Sequence, residues 1–201
     1  MSVRPDVAAS FFGPLRRRTT IMVLDDRDSN LTLAKVIADL LSRTGDRAGI
    51  LDLDSLYSSN SDSVFGQIRP PHGQSIAIHI PSPETRMEEE FLAVFDDGLS
   101  VILIDSLNTL YHALPSNEGA SRGRMLSYAV ASLSAFAESS GSAVVLTMYR
   151  REKLGESGKG RPMSDLSDAT VRVSYDSGPS ISFICQRGVL WPGGTFSTRI
   201  P

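Results

Sequence analysis

The sequence predicts an α/β fold, a three-layer arrangement with a mostly parallel central sheet and an antiparallel β extension at its C-terminal end. Three observations predict it. Val101-Ile102-Leu103-Ile104 is an unbroken aliphatic run closed by Asp105 and Ser106. Four consecutive aliphatic residues leave no polar face, as in a strand buried on both sides of a parallel sheet. Strand-like runs alternate with stretches of helical spacing as far as Leu146, the order of βαβ units. Beyond residue 168, three short runs are separated by glycine and proline turns, which favours antiparallel pairing. Residues 1–18 read as an N-terminal segment and 19–201 as a single domain, a length that supports one hydrophobic core.

The elements follow in order. Phe11-Phe12-Gly13-Pro14-Leu15 leads to Arg16-Arg17-Arg18; the aromatics suit packing on the domain or on a neighbour, and the arginines a solvated edge. Thr19 to Leu24 is a first buried strand, and Asp25 to Asn30 a turn that can also cap a helix. Leu31, Ala34, Ile37, Leu40 and Leu41 recur at helical spacing, and Gly45 ends that helix. Ala48 to Leu53 is a second strand and 55–74 a loop rich in Ser, Asn, Pro and Gly. Ser75 to Ile80 alternates like a strand; Ser82-Pro83 then opens a helix carrying Met87, Phe91 and Phe95. After the Asp105 strand comes a loop over 115–124. A helix marked by Met125, Ala129, Leu133, Phe136 and Ala137 ends at Gly141, and Ala143 to Leu146 is a buried strand. A glycine-containing loop fills 151–168, and the tail strands are Ala169–Tyr175, Ser180–Arg187 and Thr195–Ile200.

Composition excludes several functions. A net charge of −3 is not that of a strongly basic nucleic-acid binder, although it leaves room for a local basic groove. The single cysteine, Cys185, has no internal disulfide partner and sits in an alternating run, as a buried strand thiol would. No stretch approaches the ~18 apolar residues of a membrane span, and no signal-peptide core is evident. The expectation is a soluble, cytoplasmic protein with no membrane partner. His72, His79 and His112 are scattered without ligand spacing, and no nucleophile-elbow motif supports Ser/His/Asp catalysis.

The acids are concentrated at strand ends: Asp25, Asp26 and Asp28 after the first strand, Asp52 and Asp54 after the second, Asp105 after the fourth. Open α/β sheets place ligands at that edge. Loop acids of this kind are ordinarily solvated or capping groups, so no metal ion is assigned to them. The pair Asp25-Asp26 also resembles the opening of a response-regulator receiver domain, but the spacings to Asp54 and Asp105 do not fit one.

Taken together, the order of elements resembles the RecA-like core ATPases, especially the KaiC- and RadA-type branch. Phe12-Gly13-Pro14-Leu15 stands where that family has its first turn, and Asp52-Leu53-Asp54 where it has a strand-end acid that polarises the attacking water. Val101 to Ser106 is similar to Walker B, whose Asp holds Mg²⁺. Gln186-Arg187-Gly188, with Phe196 and Ile200 beyond, resembles the family's C-terminal hairpin. The phosphate loop departs from the pattern. Its position reads Leu24-Asp25-Asp26-Arg27-Asp28-Ser29-Asn30-Leu31-Thr32. Both glycines are missing, so backbone N–H groups approach phosphates less closely. Asn30 replaces the lysine and Leu31 the Mg²⁺-binding hydroxyl, with Thr32 one place later. Like charges about 4 Å apart repel by about 4 kcal/mol at an effective dielectric near 20, more than a charged hydrogen bond returns.

The resemblance therefore implies a RecA-like fold with a degenerate Walker A loop, no catalytic residues, no cofactor, and ATP and Mg²⁺ binding that is weak or absent. It also implies nucleic-acid loops, at Arg122 and Arg124 and at Arg151, Lys153, Lys159 and Arg161, and a trans contact from Arg187 to a neighbouring subunit. The expected role is an accessory or assembly subunit in DNA recombination or repair. Its partners would be a RecA/RadA-type paralogue or copies of itself, with single-stranded DNA or RNA. The alternatives are a ring scaffold resembling the RecA-fold Elongator subunits, which bind tRNA, and a weak residual ATPase.

Overall fold

The structure, a computed structural model, describes residues 6–62, 76–81, 94–95, 98–114, 122–150, 166–175 and 179–201. Among these the elements are α1 (Val7–Phe12), β1 (Arg18–Leu24), α2 (Arg27–Thr44), β2 (Ala48–Asp52), β3 (Ile76–His79) and β4 (Val101–Asp105). They continue as α3 (Leu107–Ala113), α4 (Arg122–Ser140), β5 (Ala143–Tyr149), β6 (Ala169–Tyr175), β7 (Ser180–Arg187) and β8 (Thr195–Arg199). The predicted helix over Ser82 to Phe95 lies almost wholly outside the described residues, as do Arg151, Lys153, Lys159 and Arg161.

The strands form one mixed sheet in the order β3-β2-β4-β5-β1-β6-β7-β8. The strands from β3 to β6 are parallel; β7 runs antiparallel to both β6 and β8. The three tail runs are thus strands, as expected, but the first of them is not antiparallel to the body. β6 pairs in parallel with β1 over Thr20–Val23, and only β7 reverses direction.

The aliphatic run of β4 explains the layering. Period-2 alternation sends Val101 and Leu103 to one face, where they join α1 and α2, and Ile102 and Ile104 to the other, where they join α3 and α4. β5 divides likewise, Val145 to the first face and Val144 and Leu146 to the second. A strand read as buried on both faces is covered on both.

α2 forms as its spacing predicts. Asp26 caps it, accepting from Ser29 N at 2.8 Å, and Gly45 closes it with φ 79°, a conformation costly for residues with a Cβ. α1 and α3 were not expected, although each carries a helical stripe: Ala8, Phe11, Phe12 and Leu15, and Leu107, Leu110 and Leu114. α1 docks Phe11 against Phe183, Trp191 and Phe196, with ring centroids 4.8, 5.7 and 5.1 Å away. Trp191 Nε1 donates to the Phe11 carbonyl at 3.4 Å. The N-terminal aromatics therefore pack on the domain itself.

Two local expectations are corrected. Cys185 is half-buried rather than enclosed, because it lies near the end of β7, where Gln186 and Arg187 are already in solvent. Arg122 and Arg124 stand on the first turn of α4 rather than in a loop, since the helix begins before its first apolar residue. Among the described residues, no helix is long and apolar enough to cross a membrane.

Candidate functional site

The ends of β1, β2, β4 and β5 meet the N-terminus of α2. There the sequence-predicted site residues fall into two sets, one at the surface and one locked inside.

Asp25, Asp26, Arg27 and Asp28 are exposed. Asp25 lies 3.8 Å from Arg150 Nη1, a pair too open to water to contribute much. Asp26 is committed to its capping bond, so one of the helix's free N–H groups is already used. Thr32 Oγ1 donates to the Asp28 carbonyl at 2.9 Å and thus points back onto its own helix, and Leu31 packs at the edge of the core. Tyr175 hydroxyl, arriving from β6, donates to the Ser29 carbonyl.

Asn30 is fully buried. Its Nδ2 donates to Asp105 Oδ1 at 2.6 Å and to Tyr149 hydroxyl at 2.8 Å, while its Oδ1 accepts from Tyr57 hydroxyl at 2.6 Å. Asp105 Oδ1 also accepts from Thr147 Oγ1 at 2.6 Å. Asn30 is therefore the hub of a polar knot tying α2 to β4, β5 and the turn after β2. A buried amide with all these bonds made is stable; with one missing it costs about 1–3 kcal/mol.

Asp105 is fully enclosed, and its Oδ2 meets no hydrogen-bond partner among the described residues. Burial lifts its carboxyl from 3.8 to about 7; the bond from Thr147 works against the rise, and Asp54 adds to it. Burial likewise holds the Tyr57 hydroxyl well above its ordinary value, with Asp105 as the next cause. Tyr149 and Tyr175 are raised for the same first reason.

The remaining acids serve the backbone. Asp52 is buried, its Oδ1 accepting from Leu56 N and its Oδ2 from Ser58 N, both at 2.8 Å, so both oxygens cap the turn carrying Tyr57. Asp54 accepts from Ser106 Oγ at 3.1 Å and from Thr109 Oγ1. Ser106 in turn caps α3 across a cis Asp105–Ser106 peptide bond. Among the described residues no group of three or more His, Cys, Asp or Glu side chains is placed to hold a metal ion. Arg187, exposed on β7, donates from Nη1 to the Ser167 carbonyl at 3.0 Å.

The sequence pointed to Asn30 and Asp105 but not to Tyr57, Thr147 or Tyr149, which complete the knot. Tyr149 and Thr147 could have been found from the length of β5, which continues past its aliphatic run with Thr147 facing in. Tyr57 stands in a serine-rich stretch with no periodicity to mark it. No protein-family model matches the chain, and no curated protein matches it.

Proposed function

We propose that this chain is a non-catalytic paralogue of the RecA-like ATPases, acting as an accessory or assembly subunit in DNA recombination or repair. In that role it contacts single-stranded nucleic acid, a RadA-type recombinase, or copies of itself. One observation carries the non-catalytic half: Asn30 occupies the lysine position as an uncharged side chain bonded to Asp105, Tyr149 and Tyr57. It has neither charge nor free donors to offer a phosphate. The capped α2 terminus and the acids beside it add to that reading. The assembly half rests on the resemblance, with which the mostly parallel sheet and the antiparallel pairing of β7 with β6 and β8 agree. Arg187 is its exposed side chain for a trans contact.

Two titrations test the two halves. Calorimetry with ATP and Mg²⁺ is expected to give no heat of binding at micromolar nucleotide; a micromolar Kd would restore the residual-ATPase reading. Anisotropy with labelled single-stranded DNA and RNA at low salt, with and without a recombinase, is expected to show binding; silence in every arm would remove the accessory role. Preference for tRNA over DNA would favour the Elongator-like scaffold instead.

A further inference from the structure

Resting on that reading, we propose that the outward face of the β6–β7–β8 tail is where the chain grips the backbone of a single-stranded nucleic acid. Val171, Val173, Ile181 and Phe183 turn inward to the cluster around Phe11. Alternation then sends their neighbours to the other face. The register aligns them in rows: Arg172 beside Ile184 and Thr195, then Ser174 beside Ser182 and Ser197, then Ser180 beside Arg199. α3 and α4 bury the equivalent face of β1 and β5, but Ile184 remains 40% exposed, and Thr195, Ser197 and Arg199 lie in solvent.

The chemistry of this face is that of a polyanion site. Among the described residues it carries no carboxylate in a chain whose net charge is −3, whereas acids gather at the ends of β1, β2 and β4. Neither arginine is ion-paired among the described residues, and Arg172 Nε is buried without an acceptor. Two strand spacings across and four residues along put Arg172 and Arg199 about 16 Å apart. Midway lies a hydroxyl pair, Ser182 and Ser197, 2.9 Å apart. A diagonal of guanidinium, hydroxyls and guanidinium suits successive phosphates along one strand, contacts that position a backbone without reading bases. A single carboxylate would engage only one end of it.

The test is anisotropy of labelled single-stranded DNA and RNA over a salt series, comparing the full chain with an Arg172→Glu/Arg199→Glu double variant. The double variant should bind at least tenfold more weakly at low salt. The slope of log affinity against log salt should fall by about 1.4, from about 0.7 per phosphate contact. Arg199→Glu alone, on an exposed edge strand, should keep the wild-type melting temperature and lose about half the slope change. Wild-type binding with the double variant unchanged in affinity and slope would overturn this inference and leave the accessory role standing. A wild-type chain that binds an acidic peptide but no nucleic acid, with or without a recombinase, would overturn both.

Discussion

At the carboxyl edge of the sheet, Asn30, Tyr57, Asp105 and Thr147 are joined through hydrogen bonds of 2.6 Å each. Beside the tail, Phe11, Phe183, Trp191 and Phe196 are joined through ring contacts of 4.8 to 6.1 Å. Both clusters fasten segments far apart in sequence. The aromatic one gains from area removed from water, a term indifferent to pH and forgiving of small shifts. The polar one has little net gain, since each bond replaces one to water, and its members cost heavily if a partner is lost. One region stabilises by mass; the other specifies an arrangement at the carboxyl edge of the sheet.

Three substitutions would break or sharpen that contrast. Phe11→Ala should have the largest effect, a loss of about 3–5 kcal/mol, read as a fall in melting temperature of roughly 10 °C that is the same at pH 5 and pH 8. Asp105→Asn should act in the opposite sense and only at higher pH. Because the folded carboxyl titrates near 7 instead of 3.8, the folded state holds its proton more tightly than the unfolded chain. The neutral acid's contribution is fully present below about pH 4 and is lost as pH rises through 7. The wild type should weaken across that window by on the order of 4 kcal/mol, while the asparagine variant, which cannot ionise, stays flat. Denaturant melts at pH 4, 6 and 8 decide it; parallel pH profiles would remove Asp105 as the cause. Tyr57→Phe should have the smallest effect, about 1–3 kcal/mol, because it strands the buried Asn30 Oδ1. An unchanged melt would mean that water reaches the amide.

The contrast also separates what the sequence makes legible from what it does not. The β4 run, the α2 stripe and Gly45 are local signals, and each element stands where its signal placed it. Asp105 was found because it closes a strand. The knot was not, because its bonds join residues 27, 42, 75 and 119 positions apart, and no local pattern records which side chains will meet. Asn30 was singled out by its place after the first strand, yet its role as a hub depends on Tyr57 and Tyr149. Cys185 is half-buried for a related reason: alternation gives the side a residue faces, not how far the covering layer extends.

Trp191 is the chain's single tryptophan, enclosed, stacked on Phe11 and bonded to that residue's carbonyl. The protein thus carries one built-in fluorophore, wired to the seam between its first helix and its last strands. Its emission colour follows the undocking of α1 from the tail without a label.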